Sequence, residues 1–219
     1  MRHIFAGLMV VALSACSSAP PPPDWQMGAK GSLERATEAW LRGDSTIEAA
    51  ELARARADLA STGRPDLVAR AELVRCAARV ASLEMAPCSG FEALAADAAA
   101  PEAAYARYLA GGLAQGDAAL LPKAHQAVAV AVGAASDAPL KAIEDPLSQM
   151  VAAGVLLRRG EATPETVRLA VDRASAQGWR RPLLAWLHVA KSRAEAGGAS
   201  DEVARLQRRI ELLQTPAVR

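Results

Sequence analysis

Residues 66–83 carry apolar side chains on two neighbouring helical stripes. Leu67, Ala71, Val74, Ala78 and Ala81 recur at i, i+4, i+7 spacing; Ala69, Leu73, Cys76, Val80 and Leu83 repeat that pattern beside them. A helix apolar over so wide an arc has to pack on two sides at once, so the rest of the chain must supply neighbours for it. Pro65 precedes the stretch at a position where a missing N–H costs nothing. Arg70, Glu72, Arg75 and Arg79 make up the remaining face, expected to stay in water, with Glu72 and Arg75 at i, i+3 spacing.

The neighbours are expected to be helices too. Alanine supplies about a quarter of the chain and aromatic residues only 4%. Alternating β-branched runs are missing apart from Val128-Ala-Val-Ala-Val132. The first helix should span about 25–41, with Trp25, Ala29, Leu33, Ala36 and Trp40 on one face, and end at Gly43. Ser45 and Glu48 have capping-box spacing ahead of a second helix that closes at Gly63. Beyond the turn at Pro87–Gly90, helices are expected at 91–98, 101–115 and 117–132, then up to about 159. Further helices run from Thr163-Pro164-Glu165 to about 177, from Pro182 to about 195, and from Ser200 onward. In the last, Val203, Leu206, Ile210 and Leu213 form one narrow stripe, as suits a helix that caps a stack.

Glycines close these helix pairs at Gly43, Gly116, Gly160 and Gly197-Gly198, which divides the chain into units of about 39 residues. The unit from Pro182 to Pro216, with Leu183, Trp186, Leu187 and Ala190 on its first helix, resembles a tetratricopeptide repeat. Arg208 and Glu211 depart from that pattern. The fold class expected for residues 24–216 is therefore all-α: stacked antiparallel helix pairs in one domain, as a tetratricopeptide-like α-solenoid or α-α superhelix.

The start of the chain reads differently. Met1-Arg2-His3 is a short basic segment, Ile4 to Leu13 carries no charge, and Leu13-Ser14-Ala15-Cys16 follows. This resembles a secretory leader, too short to span a membrane, ending in the lipobox of bacterial lipoproteins. The resemblance implies removal of residues 1–15, a diacylglycerol thioether on Cys16, and a further acyl chain such as palmitate on its amino group. An ordinary secretory peptide is the alternative. Ser17, where an aspartate would favour the inner membrane, implies an outer-membrane, periplasm-facing location in a Gram-negative cell. Residues 16–23 with Pro20–Pro23 read as a stiff tether, about 3 Å per residue. The whole chain holds 25 Lys+Arg against 24 Asp+Glu; loss of Arg2 with the leader leaves 24 against 24. A neutral chain lacks the basic excess that nucleic acid requires.

In an oxidising compartment the remaining pair, Cys76 and Cys88, is expected to form a disulfide; free thiols are the alternative. Trp179, Arg180 and Arg181, in a turn before Pro182, and Tyr105 and Tyr108 are candidate partner-binding residues on a concave face, with gap-filling in the core as the competing role. Trp25, Trp40 and Trp186 carry the same two readings. His125 and His188 each stand alone on apolar helices without ligand spacing, so no metal and no cofactor are expected. No nucleophile motif or phosphate loop is recognisable, and no catalytic residue is assigned. The expected function is a lipid-anchored adaptor for proteins of envelope assembly or secretion. The alternatives are a carrier of a lipid, peptide or cell-wall fragment between helices, and a cell-wall enzyme.

Overall fold

The computed structural model describes residues 22–215. The leader, Cys16, most of the tether and residues 216–219 lie outside the described residues. Twelve α-helices and two short 3-10 turns follow one another, and the described residues contain no strand. The helices are α1 (Asp24–Arg42), α2 (Ser45–Ala60), α3 (Pro65–Ala81), α4 (Ser89–Glu92), α5 (Ala100–Leu109) and α6 (Asp117–Leu120). Then come α7 (Lys123–Val130), α8 (Asp137–Lys141), α9 (Pro146–Arg158), α10 (Pro164–Gln177), α11 (Arg180–Ala196) and α12 (Ser200–Gln214). None is long and apolar enough to cross a membrane.

Local signals place most boundaries. Gly43 ends α1 at φ 98°, a left-handed conformation that a side chain disfavours, and its N–H bonds back to Ala39 O and Trp40 O. Thr163 caps α10, its hydroxyl accepting from Thr166 N at 3.0 Å. The pairs α1/α2 and α11/α12 pack through short turns at Gly43 and Gly197-Gly198, as the glycine spacing predicts, and α10/α11 packs through a further turn at Gly178. Between residues 89 and 141 the helices are shorter than expected: the segments predicted at 101–115 and 117–132 stop at Leu109, break at Leu121-Pro122 and stop again at Val130. The 128–132 run is helical to Val130 and does not pair as a strand.

Two local expectations are corrected. Asp44, not Ser45, caps α2, its carboxylate accepting from Ile47 N at 3.0 Å. Glu48 is thereby released to accept from Arg75 on α3 at 3.0 Å. Glu72 does not face water: it is 1% exposed and is held by Arg56 of α2. Arg75 also lies 3.9 Å from it, at the expected i, i+3 spacing. Glu51, buried on α2, accepts from Arg35 of α1 at 3.0 Å and Arg54 at 2.6 Å. The Arg35 hydrogen bond holds its carboxyl below the usual range. Three buried acids therefore link α1, α2 and α3, each compensated by a guanidinium, as burial of a charge demands.

The centre of the molecule is α3 lying on α9. Gln149 through Leu156 of α9 are all buried. Gly154 lies where α9 meets the Val80 carbonyl of α3. Two carbonyls in the last turn of α3 take indole N–H groups from two other helices. Trp40 Nε1 of α1 donates to Ala78 O at 3.2 Å, and Trp186 Nε1 of α11 donates to Ala81 O at 3.1 Å. These bonds fasten the first and the penultimate helix to one end of α3. The helix pairs are thus gathered around α3 and α9, not only stacked on sequence neighbours.

Candidate binding groove

A surface groove of about 710 Å³ runs between α1 and α3. On α1 it is lined by Trp25, Ala29, Leu33, Thr37 and Leu41, positions four residues apart that share one side of the helix. Leu67, Ala71 and Val74 of α3 face them, with Leu59 below, and Leu147 and Trp179 also form part of the wall. Ala29 and Ala71 are 2% and 1% exposed. Small side chains at those two positions leave the space that larger ones would fill. At about 1.5 Å per residue, the stretch from Trp25 to Leu41 is about 24 Å long.

Charges stand only on the rim, and each has a partner within the protein. Lys30 lies 3.9 Å from Glu34, and Arg42 bonds Glu38 at 2.5 Å. Arg64 reaches Asp66 at 2.6 Å and Arg70 reaches Glu102 at 2.5 Å. An apolar trough with an internally compensated rim suits an uncharged or amphipathic occupant, such as one face of a helix or a hydrocarbon chain.

Of the residues expected on a concave face, Trp25 and Trp179 line this groove. Trp179 is 7% exposed and its Nε1 donates to Glu38 Oε2 at 3.1 Å, so it also ties the α10–α11 turn to α1. Arg181 is engaged in the fold. Its guanidinium donates to Trp40 O at 2.9 Å and Ser45 Oγ at 2.8 Å and lies 3.7 Å from the Trp40 ring centroid, with Arg79 over the same ring at 4.1 Å. Arg180 is exposed and donates to Leu213 O at 2.8 Å. Trp40 and Trp186 are core residues.

Tyr105 and Tyr108 lie apart from the groove, in a cluster with His125. The Tyr108 and His125 rings are 5.2 Å apart, the Tyr105 and His125 rings 5.6 Å, and Tyr108 Oη lies 3.3 Å from His125 Nδ1. Tyr108 is buried, while Tyr105 is half-buried and lines a second hollow of about 340 Å³ with Leu120, Leu121 and Pro122. Burial raises both phenols above their ordinary range. Burial pushes the His125 imidazole down to about 4, against a smaller opposing pull from the Asp145 carboxylate.

The sign of this shift makes a prediction. Below about pH 6.5 the unfolded chain protonates His125 before the folded one does, so stability falls as pH drops from 6.5 towards 4. At pH 5 the loss from this group is about 2 kcal/mol. Urea titrations at pH 7 and pH 5 should show that loss, and His125→Phe should remove most of it. An equal loss in both proteins would place its origin elsewhere.

Among the described residues no group of three or more His, Cys, Asp or Glu side chains converges on a metal-sized site. Comparison with known protein families, with curated proteins and with solved structures finds no match. The α1 stripe of the groove follows from helical spacing, but nothing local in the sequence brings Leu67 or Trp179 opposite it.

Proposed function

We propose that this chain is a lipoprotein anchored through Cys16 in the outer membrane of a Gram-negative bacterium. Its periplasmic helical domain acts as an adaptor, without catalysis of its own, in envelope assembly or secretion. A partner's amphipathic helix binds in the α1–α3 groove. The observation that carries this reading is the groove: elongated, apolar along its length, open at the surface and rimmed by charges that are already paired. A helix laid in such a trough buries one apolar face while its polar face stays in water. The tetratricopeptide-like character of the repeats belongs to the same proposal.

The anchor has a direct test. Cys16→Ser should accumulate as the uncleaved precursor and lose acyl labelling; normal processing and labelling of that variant would overturn the localisation. For the groove, a photoreactive residue at position 33 in intact cells should capture a protein, whereas one at Leu212, 76% exposed on α12, should not. Equal capture from both positions would remove the groove from the reading. A second reading, a carrier of an apolar lipid tail, draws on the absence of any unpaired charge along the rim. Capture of lipid in place of protein at position 33 would select it.

A further inference from the structure

A third hollow, sharing no residue with the groove, lies against the disulfide. It measures about 420 Å³ and is walled by Val80, Phe91, Leu109, Pro87, the Cys76–Cys88 bridge and Arg158. Arg158 is the last residue of α9, and its side chain is pinned from one side. A Cβ on Gly111 would stand 3.1 and 3.2 Å from its Cγ and Cδ, and Gly111 has φ 85°.

The guanidinium is short of partners. Its Nε donates to the thioether of Met85 at 3.2 Å, a weak acceptor. Its Nη2 is shielded from water without a hydrogen-bond partner among the described residues, while the side chain as a whole is half-buried and lines the hollow, with no carboxylate there within ion-pair distance. The contrast with its neighbours is sharp. Arg159, next in sequence, bonds Ala129 O and Glu161; Arg107 and Arg79, which also line the hollow, bond Asp117 and Glu84. The helix dipole at the end of α9 offsets part of the cost of Arg158's burial. A half-buried cation without a counter-ion still costs stability, and a bound anion recovers it. Burial accordingly lowers the Arg158 pKa.

We propose that this hollow is a binding site for a small organic carboxylate with an apolar body, the chemistry of the C-terminus of a hydrophobic peptide. The carboxylate meets the part of the Arg158 guanidinium that is open to the hollow, not the shielded Nη2, and the apolar body rests on Val80, Phe91, Leu109 and the disulfide. Glu92 also stands on the wall and is exposed. It disfavours a second negative charge on the ligand, which selects a monoanion over a phosphate dianion. The proposal is independent of the groove's occupant.

The test uses N-acetylphenylalanine and its neutral amide as probes of the oxidised mature protein, by calorimetric titration. The acid should bind about tenfold or more tightly than the amide, because only the acid gives the guanidinium a charged acceptor. Arg158→Gln should reduce the acid to the level of the amide, and inorganic phosphate should bind more weakly than the acid. Without any ligand, Arg158→Met should melt at the same or a higher temperature, which shows that the variant folds and that the cation is uncompensated. Equal binding of acid and amide would overturn the site, as would undiminished binding of the acid by Arg158→Gln. A lower melting temperature for Glu92→Gln would show that Glu92 already serves as the counter-ion, and would overturn it too.

Discussion

Gly154→Val is expected to cost about 3 kcal/mol of stability, the upper end for an overpacked core. Helix propensity argues the other way. Alanine in place of a mid-helix glycine should add about 1 kcal/mol, and valine somewhat less. Packing decides the sign, because a Cβ at this position would stand 2.4 Å from the Val80 carbonyl oxygen and 2.9 Å from Val80 Cγ1. The first of those atoms is backbone within α3, so relief requires α3 and α9 to move apart. Leu73 and Val80 of α3 and Met150 and Val151 of α9 are all buried in one core cluster that such a movement would disturb. Gly154→Ala should therefore lower stability by about 1 kcal/mol after its propensity gain is subtracted. Urea denaturation at pH 7 measures both. A stabilised Gly154→Ala would mean that the two helices do not cross as closely as this.

Loss of the Cys76–Cys88 bridge is the other large expected effect. The two sulfurs are bonded, with the Cα atoms 5.9 Å apart and a sequence separation of 12. Cys76 lies on the buried side of α3, and Cys88 is the residue before α4. The chain between them reverses at Leu83, which takes φ 60°, the left-handed conformation usually left to glycine. Glu84 N then bonds back to Arg79 O at 2.9 Å, which satisfies a carbonyl near the end of α3. The helix ends at Ala81, two residues earlier than its apolar spacing predicts, and the early stop helps bring Cys88 back beside Cys76. Closing a loop of this length removes unfolded-state entropy worth about 3 kcal/mol in the chain-entropy model. Cys88→Ala should therefore lower the melting temperature on the order of 10 °C for a domain of this size. Cys88 is half-buried, so the substitution leaves little cavity to confuse the result. Scanning calorimetry of that variant, and of wild type with and without reductant, makes the comparison. Wild type that melts at one temperature under both conditions would show that the bridge contributes nothing.

What was legible in the sequence is what depends on a few consecutive residues. The apolar spacing of residues 67–81 and 203–213, the glycines at 43, 116 and 160, and Thr163-Pro164 determined helices and turns where the structure has them. Each such signal acts within one or two turns of backbone. The left-handed φ values at those three glycines are the structural counterpart of the spacing. Leu83 is the instructive failure: no glycine marks the end of α3, because the reversal there is held by the disulfide loop and by Trp40 and Trp186 on its carbonyls.

Only the tertiary structure could decide which polar residues leave the water. Glu72 has the helical position of a solvated acid, and it is buried because Arg56 arrives from α2 and α4 starts against it; a Cβ on Gly90 would fall within 2.1 Å of its carboxylate. The groove has the same origin. Trp25, Leu67 and Trp179 belong to three segments that only tertiary packing brings to one wall, and α3 in turn is seated closely on α9. That approach rests on the absent side chain of Gly154, which reads in sequence only as a weak point in a helix. Helical periodicity says which side of each helix is apolar. It does not carry the distances between helices, and those distances are what leave a trough on one side of α3 and the hollow at Arg158 beside the disulfide.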